Sequence, residues 1–139
     1  MKPSLTALRD GEKIHRTNLL ALTKRQQLTI AEWQLLGNLA AGHTTQEQLA
    51  EATELDTSTL SRQLKSLGAK EMIDKEATGR DHRQLIYSVT TTGQQALTQI
   101  DADYEQMTAQ VFDKWTDEEK NLLQILLNRL ETSLTRTNK

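Results

Sequence analysis

Cysteine is absent from the 139-residue chain, which removes disulfides, thiolate metal sites and thiol redox sensing as a class. Proline occurs once, at Pro3, and the six glycines are scattered at positions 11, 37, 42, 68, 79 and 93. The sequence therefore has no linker-like or low-complexity segment, and it carries no internal repeat. No stretch approaches the roughly 18 uninterrupted apolar residues of a membrane span. The opening "MKPSLTALRDGEKIHRTNLLALTKR" holds no continuous apolar run of signal-peptide length. A cytoplasmic location with no membrane partner is expected.

What is present reads as one soluble unit over residues 1–139, since single domains commonly run about 100 to 200 residues. Hydrophobic residues make up 36% and charged residues 26%, with a net charge of -2. That balance excludes a disordered acidic or basic tail as the main content, and net charge alone names no partner.

Helical periods dominate. Leu5, Leu8, His15, Leu19 and Leu22 fall near helical spacing, with Gly11 weakening the middle of that first segment. "TIAEWQLLGNLAAG" opens on a capping box from Thr29 to Glu32, carries a stripe of Ile30, Trp33, Leu36 and Leu39, and meets a stop at Gly42. A short helix capped by Thr44 or Thr45 follows, then a turn around Glu54 and a further helix starting at Asp56. Two short helices across a tight turn predict a helix-turn-helix.

From Met72 the period changes to that of a strand, with Leu85, Tyr87 and Val89 alternating against Gln84, Ile86 and Ser88. "MIDKEA" is the predicted hairpin partner and "TGRDH" the tip. Helical spacing returns with Leu97, Ile100, Tyr104, Met107 and Val111. A capping box from Thr116 to Glu119 then precedes Leu122, Leu123, Leu126, Leu127, Leu130 and Leu134. The predicted fold is mainly α with a small β-hairpin wing, an α+β winged helix-turn-helix over residues 29–90. Long N- and C-terminal helices, over 1–24 and 91–139, flank it.

On the helix after Asp56, at about 100° per residue, Leu60, Leu64 and Leu67 share one narrow sector. The opposite sector holds Ser58, Arg62, Lys65 and Ala69, with Ser61 beside it. A major-groove helix needs that division: a buried stripe to fix it, and short polar and long basic side chains outside. Thr57, Ser58, Thr59, Ser61, Arg62, Gln63 and Lys65 are the expected contacts to double-stranded DNA, with Arg62 the best placed to read a guanine edge. A solvated amphipathic helix would show the same division. Charge separates the two: residues 57–90 carry six basic and four acidic residues, leaving the rest of the chain at -4.

The turn "TGRDHRQLIYSVTTTG" places Asp81 among Arg80, His82 and Arg83. A lone carboxylate is repelled by phosphates, so Asp81 fits a wing tip if it orients a guanidinium through charge-assisted hydrogen bonds. Arg83, two residues on and on the same strand face, is the first candidate for its ligand, with Arg80 the alternative, for insertion into a narrow minor groove. An ordinary exposed ion pair there would be worth only about 0 to 1 kcal/mol.

Taken together, "LTIAEWQLLGNLA", "STLSRQLKSLGAKEMIDK" and "DHRQLIYSVTTTG" resemble, in order and spacing, the MarR family of winged-helix transcription regulators. The second stretch resembles the family's recognition helix running into its first wing strand, with Ser61 and Arg62 at the family's serine-arginine. The third resembles its aspartate-x-arginine wing motif, at Asp81 and Arg83, leading to threonine-x-x-glycine. Gly68 stands where the family often has an acid, Glu71 where it usually has glycine, and Val89 where it usually has leucine. The resemblance implies a homodimer formed through the first and last helices, with Leu5, Leu8, Leu122, Leu126 and Leu130 at the interface. Residues 122–134 carry more apolar surface than a lone helix covers, which agrees with a dimer; the alternative is that the leucine stripe packs within one chain. Two recognition helices would then lie roughly one DNA turn apart, about 34 Å, on a pseudo-palindrome.

The family further implies a repressor released by a small aromatic or phenolic effector, for which His15 and Trp33 are the candidate pocket residues. Each has a plainer reading as a packed or half-exposed helix residue. The missing cysteine excludes the thiol mechanism of the family's hydroperoxide sensors. His15, His43 and His82 fall in three separate segments without ligand spacing, so no metal or other cofactor is expected. The serines lack a nucleophile turn and "TDEEK" reads as a helix start, so the chain is not expected to be an enzyme. The competing class is a winged-helix module that docks a protein partner instead of DNA. It would lack the steep salt dependence that phosphate neutralisation imposes.

Overall fold

The computed structural model describes residues 1–79 and 84–138. The expected wing-tip contacts Arg80, Asp81, His82 and Arg83 lie outside the described residues. The chain divides into two compact units, Met1–Tyr104 and Glu105–Lys139.

In the first unit α1 spans Ser4–Arg25 and runs unbroken through Gly11, burying only Leu19, Leu22 and Thr23 near its end. The helix α2, Ile30–Ala40, starts on the predicted capping box: Thr29 Oγ1 accepts the Glu32 N–H at 3.0 Å and Glu32 Oε1 accepts the Thr29 N–H at 2.9 Å. Gly42, at φ +109°, lies just beyond its C-cap Ala41. The helix α3, Gln46–Thr53, is capped by Thr45, and α4, Thr57–Ala69, by Asp56. The turn between them passes through Glu54 in the left-handed region, at φ +59°.

The strands β1, Ile73–Thr78, and β2, Gln84–Val89, pair antiparallel from Ile73 opposite Val89 to Thr78 opposite Gln84. The inward alternation holds at the base, where Tyr87 is buried and Val89 packs on the core, and fails towards the tip, where Leu85 is 37% exposed. The last helix with residues in this unit, α5, spans Thr91–Val111 and buries Gly93, Ala96, Leu97 and Ile100.

One aliphatic core joins these elements. Leu35, Leu36 and Leu39 from α2, Leu49 from α3 and Leu60, Leu64 and Leu67 from α4 meet Met72, Ile73, Tyr87 and the start of α5. Trp33 packs against this cluster from its margin. Two backbone bonds fix the wing, one to the segment before α3 and one across the base of the hairpin. The Tyr87 N–H donates to the Thr44 carbonyl at 2.8 Å, and the Thr90 N–H donates to the Met72 carbonyl at 3.0 Å.

In the second unit, α6 spans Asp117–Thr135, begins on the predicted Thr116 to Glu119 capping box and has no buried residue. The turn before it is braced by an edge-to-face contact of Phe112 and Trp115, with ring centroids 5.0 Å apart. Among the described residues, no helix is long and apolar enough to cross a membrane.

Candidate nucleic-acid interface

The helix α4 presents the face that its sequence divides off. Leu60, Leu64 and Leu67 are buried, while Thr57, Ser58, Ser61, Arg62 and Lys65 are exposed. Thr59 and Gln63 are half-buried at the margin, and the Gln63 Oε1 atom is buried without a hydrogen-bond partner. That end of Gln63 is thus withdrawn from the outer face.

At the start of α4 the Asp56 carboxylate accepts the Thr59 N–H at 2.7 Å and the Ser58 hydroxyl at 3.0 Å. Thr59, through backbone and side chain, and then Ser58 hold the Asp56 carboxyl below the ordinary aspartate range. Arg62 reaches back one turn, where its Nη2 lies 3.4 Å from Thr59 Oγ1. Ser61 accepts a hydrogen bond across the helix-turn-helix, from Gln46 Nε2 on α3 at 2.9 Å.

The far end of α4 is tied to α2 by a buried carboxylate. Glu32, 4% exposed, accepts the Lys70 ammonium at 2.8 Å and the Ser66 hydroxyl at 2.5 Å while still closing its own capping box. Lys70 also donates to the Gln27 carbonyl at 2.6 Å. Burial pushes the Glu32 carboxyl up, but the hydrogen bonds from Lys70, Ser66 and Thr29 together outweigh it and leave the carboxyl below its usual range. Lys70, one of the six basic residues of the 57–90 segment, is therefore occupied inside the fold. Sequence reasoning saw Glu32 only as a cap and missed Gln46, Ser66 and Lys70. No local spacing marks a partner 38 residues away.

Between α4 and the wing base lies a groove of about 640 Å³ to which Ser61, Lys65, Lys75 and Tyr87 contribute. The structure thus sets Lys75 of the wing and Lys65 of α4 on one concave surface. From the wing tip inward, "TTTG" closes the element: Thr90 Oγ1 accepts the Gly93 N–H at 3.1 Å and donates to the Glu71 carbonyl at 2.7 Å.

The remaining predicted residues are dispersed. His15 is exposed on α1, Nε2 lies 2.8 Å from the Tyr104 hydroxyl, and its ring meets Tyr104 edge-on. It lines a cleft of about 490 Å³ between α1 and α2, with Leu19, Ile30 and Gln34, whereas Trp33 belongs to the margin of the core. Leu5, Leu8, Leu122 and Leu126 are exposed and Leu130 is half-buried. Among the described residues, no group of three or more His, Asp or Glu side chains is placed to hold a metal ion.

Residues 26–84 match the model of the MarR family. An uncharacterised HTH-type transcriptional regulator of Bacillus subtilis, YxaD, is 34% identical over 84 residues, which are 60% of this chain and 59% of that protein. The chain thus spans about three-fifths of the length of this relative. Among solved structures, a mutant of Staphylococcus aureus MepR superposes with a TM-score of 0.84 at 20% identity, covering 96% of this chain and 99% of that one. MepR in complex with DNA superposes at 0.74 with 19% identity, covering 95% and 96%. At such identities the likeness shows a shared winged-helix fold.

Proposed function

We infer that this chain, whose residues 26–84 match the MarR-family model, is a DNA-binding transcription regulator of that family. The observation that carries the reading is the outer face of α4. It exposes Ser58, Ser61, Arg62 and Lys65 over a buried leucine stripe, and it is braced near its middle by Gln46 and at its far end by Glu32. A helix with that division enters the major groove with base-reading side chains outward and its orientation held by the fold.

The chain acts as a homodimer on a pseudo-palindromic operator, as a repressor that a small aromatic or phenolic effector releases. Support for the dimer is the exposed apolar face of α6, where Leu122, Ile125, Leu126 and Leu127 stand in water in the single chain, together with exposed Leu5 and Leu8 on α1. Support for an effector is the α1–α2 cleft beside His15, walled by Leu19 and Ile30. Arg80, Asp81, His82 and Arg83 are assigned to the wing contact on sequence alone.

The test is a titration against a labelled duplex from upstream of the protein's own gene and a scrambled control, at two salt concentrations. Arg62→Ala and Arg83→Ala are run alongside. Binding that prefers the native fragment, falls steeply with salt and weakens in both variants supports the reading. Indifference to both duplexes would overturn it in favour of a protein-docking module.

A further inference from the structure

Two serines on the exposed face of α4 are hydrogen-bonded with opposite polarity. The Ser58 hydroxyl donates to the Asp56 carboxylate at 3.0 Å, so its proton is spent inside the protein and only lone pairs face outward. The Ser61 oxygen instead accepts from Gln46 Nε2 at 2.9 Å, so one lone pair is spent and the O–H remains available. Gln46 is the first residue of α3 and half-buried. The neighbouring glutamine, Gln48, has its carbonyl committed to the backbone N–H groups of Thr44 and Thr45. Gln46 is thus free of capping duty and directed at the recognition helix.

We propose that Gln46 is a specificity-determining positioning residue: by donating to Ser61 it sets that serine as a hydrogen-bond donor towards DNA. Ser61 lies on the same stripe as Ser58 and Lys65, three residues after one and four before the other, near the middle of the outer face. From there its hydroxyl meets the floor of the groove rather than the phosphates at its edges. A donor at this point favours base edges that present acceptors in the major groove, namely guanine N7 and O6, adenine N7 or thymine O4. Ser58, held as an acceptor, suits the amino groups of adenine or cytosine. The sequence of α4 alone cannot distinguish the two serines; the difference comes from which neighbour each hydroxyl meets.

This inference rests on the DNA-binding reading and is tested so that the two fail separately. A duplex is first selected from a randomised library by the wild-type protein, and its affinity is measured with every single base-pair substitution. Ser61→Ala, Gln46→Met and Gln46→Glu are then measured on the same panel, with urea unfolding as a check on the fold.

Loss of one neutral hydrogen bond is worth roughly 3- to 10-fold. Ser61→Ala is expected to flatten the preference at one base-pair position of each half-site by that factor. Gln46→Met is expected to weaken the preference at the same position. Gln46→Glu takes the Ser61 proton onto its carboxylate and leaves only acceptors outward. At that position its preference should move towards a base that presents an amino group, beyond the uniform loss that an added negative charge causes on every duplex. An unchanged preference in Gln46→Glu, or a Ser61→Ala effect uniform across the panel, would overturn the assignment, the latter placing Ser61 on phosphate. Failure of the wild type to select any duplex would instead bring down the DNA-binding reading itself, before a variant is made.

Discussion

The Glu32 carboxylate at the start of α2 and the Lys70 ammonium at the C-cap of α4 lie 2.8 Å apart, 38 residues distant in sequence, with the carboxylate side chain only 5% exposed. Removing the charge with Glu32→Gln leaves Lys70 without its partner and weakens the Ser66 bond. The expected loss is about 2 kcal/mol, less than for a fully buried pair because Lys70 remains partly in water. Urea unfolding measures it. The depressed carboxyl also sets a pH signature. Its contribution is whole above the ordinary glutamate value of about 4.3 and is lost as pH falls through the lower folded value. The variant and wild type should therefore differ at pH 7 and converge in acid, where both side chains are neutral. A difference that persists unchanged in acid would contradict this account.

Gly93→Ala should be strongly destabilising, although the glycine lies in a helix where alanine is normally preferred. A Cβ at Gly93 would overlap the Met72 carbonyl oxygen and approach Val89 Cγ1 to 2.8 Å, so the backbone at the wing-to-α5 junction would have to shift. A cost of about 2 to 4 kcal/mol follows from overpacking against main chain. Thermal or urea unfolding reads it directly, and a neutral result would mean that the junction is looser than this packing implies.

The opposite exchange is expected to help at Glu71, which is exposed and sits at φ +60°. Glycine relieves left-handed strain of about 1 to 2 kcal/mol and costs about 0.5 to 1 in unfolded-chain entropy. Glu71→Gly should thus raise stability by roughly 0.5 to 1 kcal/mol, seen as a higher urea midpoint at unchanged slope. The Thr90 hydroxyl bond to this residue goes to its carbonyl and is kept.

Leu126→Glu on α6 tests the homodimer. Leu126 is 49% exposed in the single chain, so a carboxylate there is harmless to a monomer but would be desolvated in an interface. Sedimentation should show the variant dissociating to monomers at concentrations at least about tenfold higher than the wild type does. Identical monomeric behaviour of both proteins would remove the dimer from the functional model.

Asp81→Asn keeps size and removes the charge proposed to orient Arg83. Operator affinity is expected to fall about 5- to 50-fold, as for loss of a charge-assisted hydrogen bond that pre-positions a cation, while the urea midpoint stays within experimental scatter. Affinity unchanged at several salt concentrations would reduce the pair to an ordinary surface contact.

Local signals carried most of the architecture because they act within a few residues. The capping boxes at Thr29 and Thr116, the leucine stripe of α4 and the strand alternation ending at Tyr87 and Val89 follow from backbone groups or periods that repeat within one turn or one pleat. Glu71 shows the same reach from the other side. The backbone there is left-handed, at φ +60°, in spite of the side chain.

Sequence by itself determined which residues share the outer face of α4, since periodicity assigns Ser58, Ser61, Arg62 and Lys65 to one side of a helix. Only tertiary structure decided what each of them presents. The Ser61 oxygen takes its hydrogen bond from a residue 15 positions away, Lys70 is drawn inward by a carboxylate 38 positions away, and Leu85 stays exposed because the core ends below it. Such partners are chosen by how α2, α3 and α4 pack. Hydrogen bonding needs atoms within about 3 Å, and only the packed fold brings those atoms together.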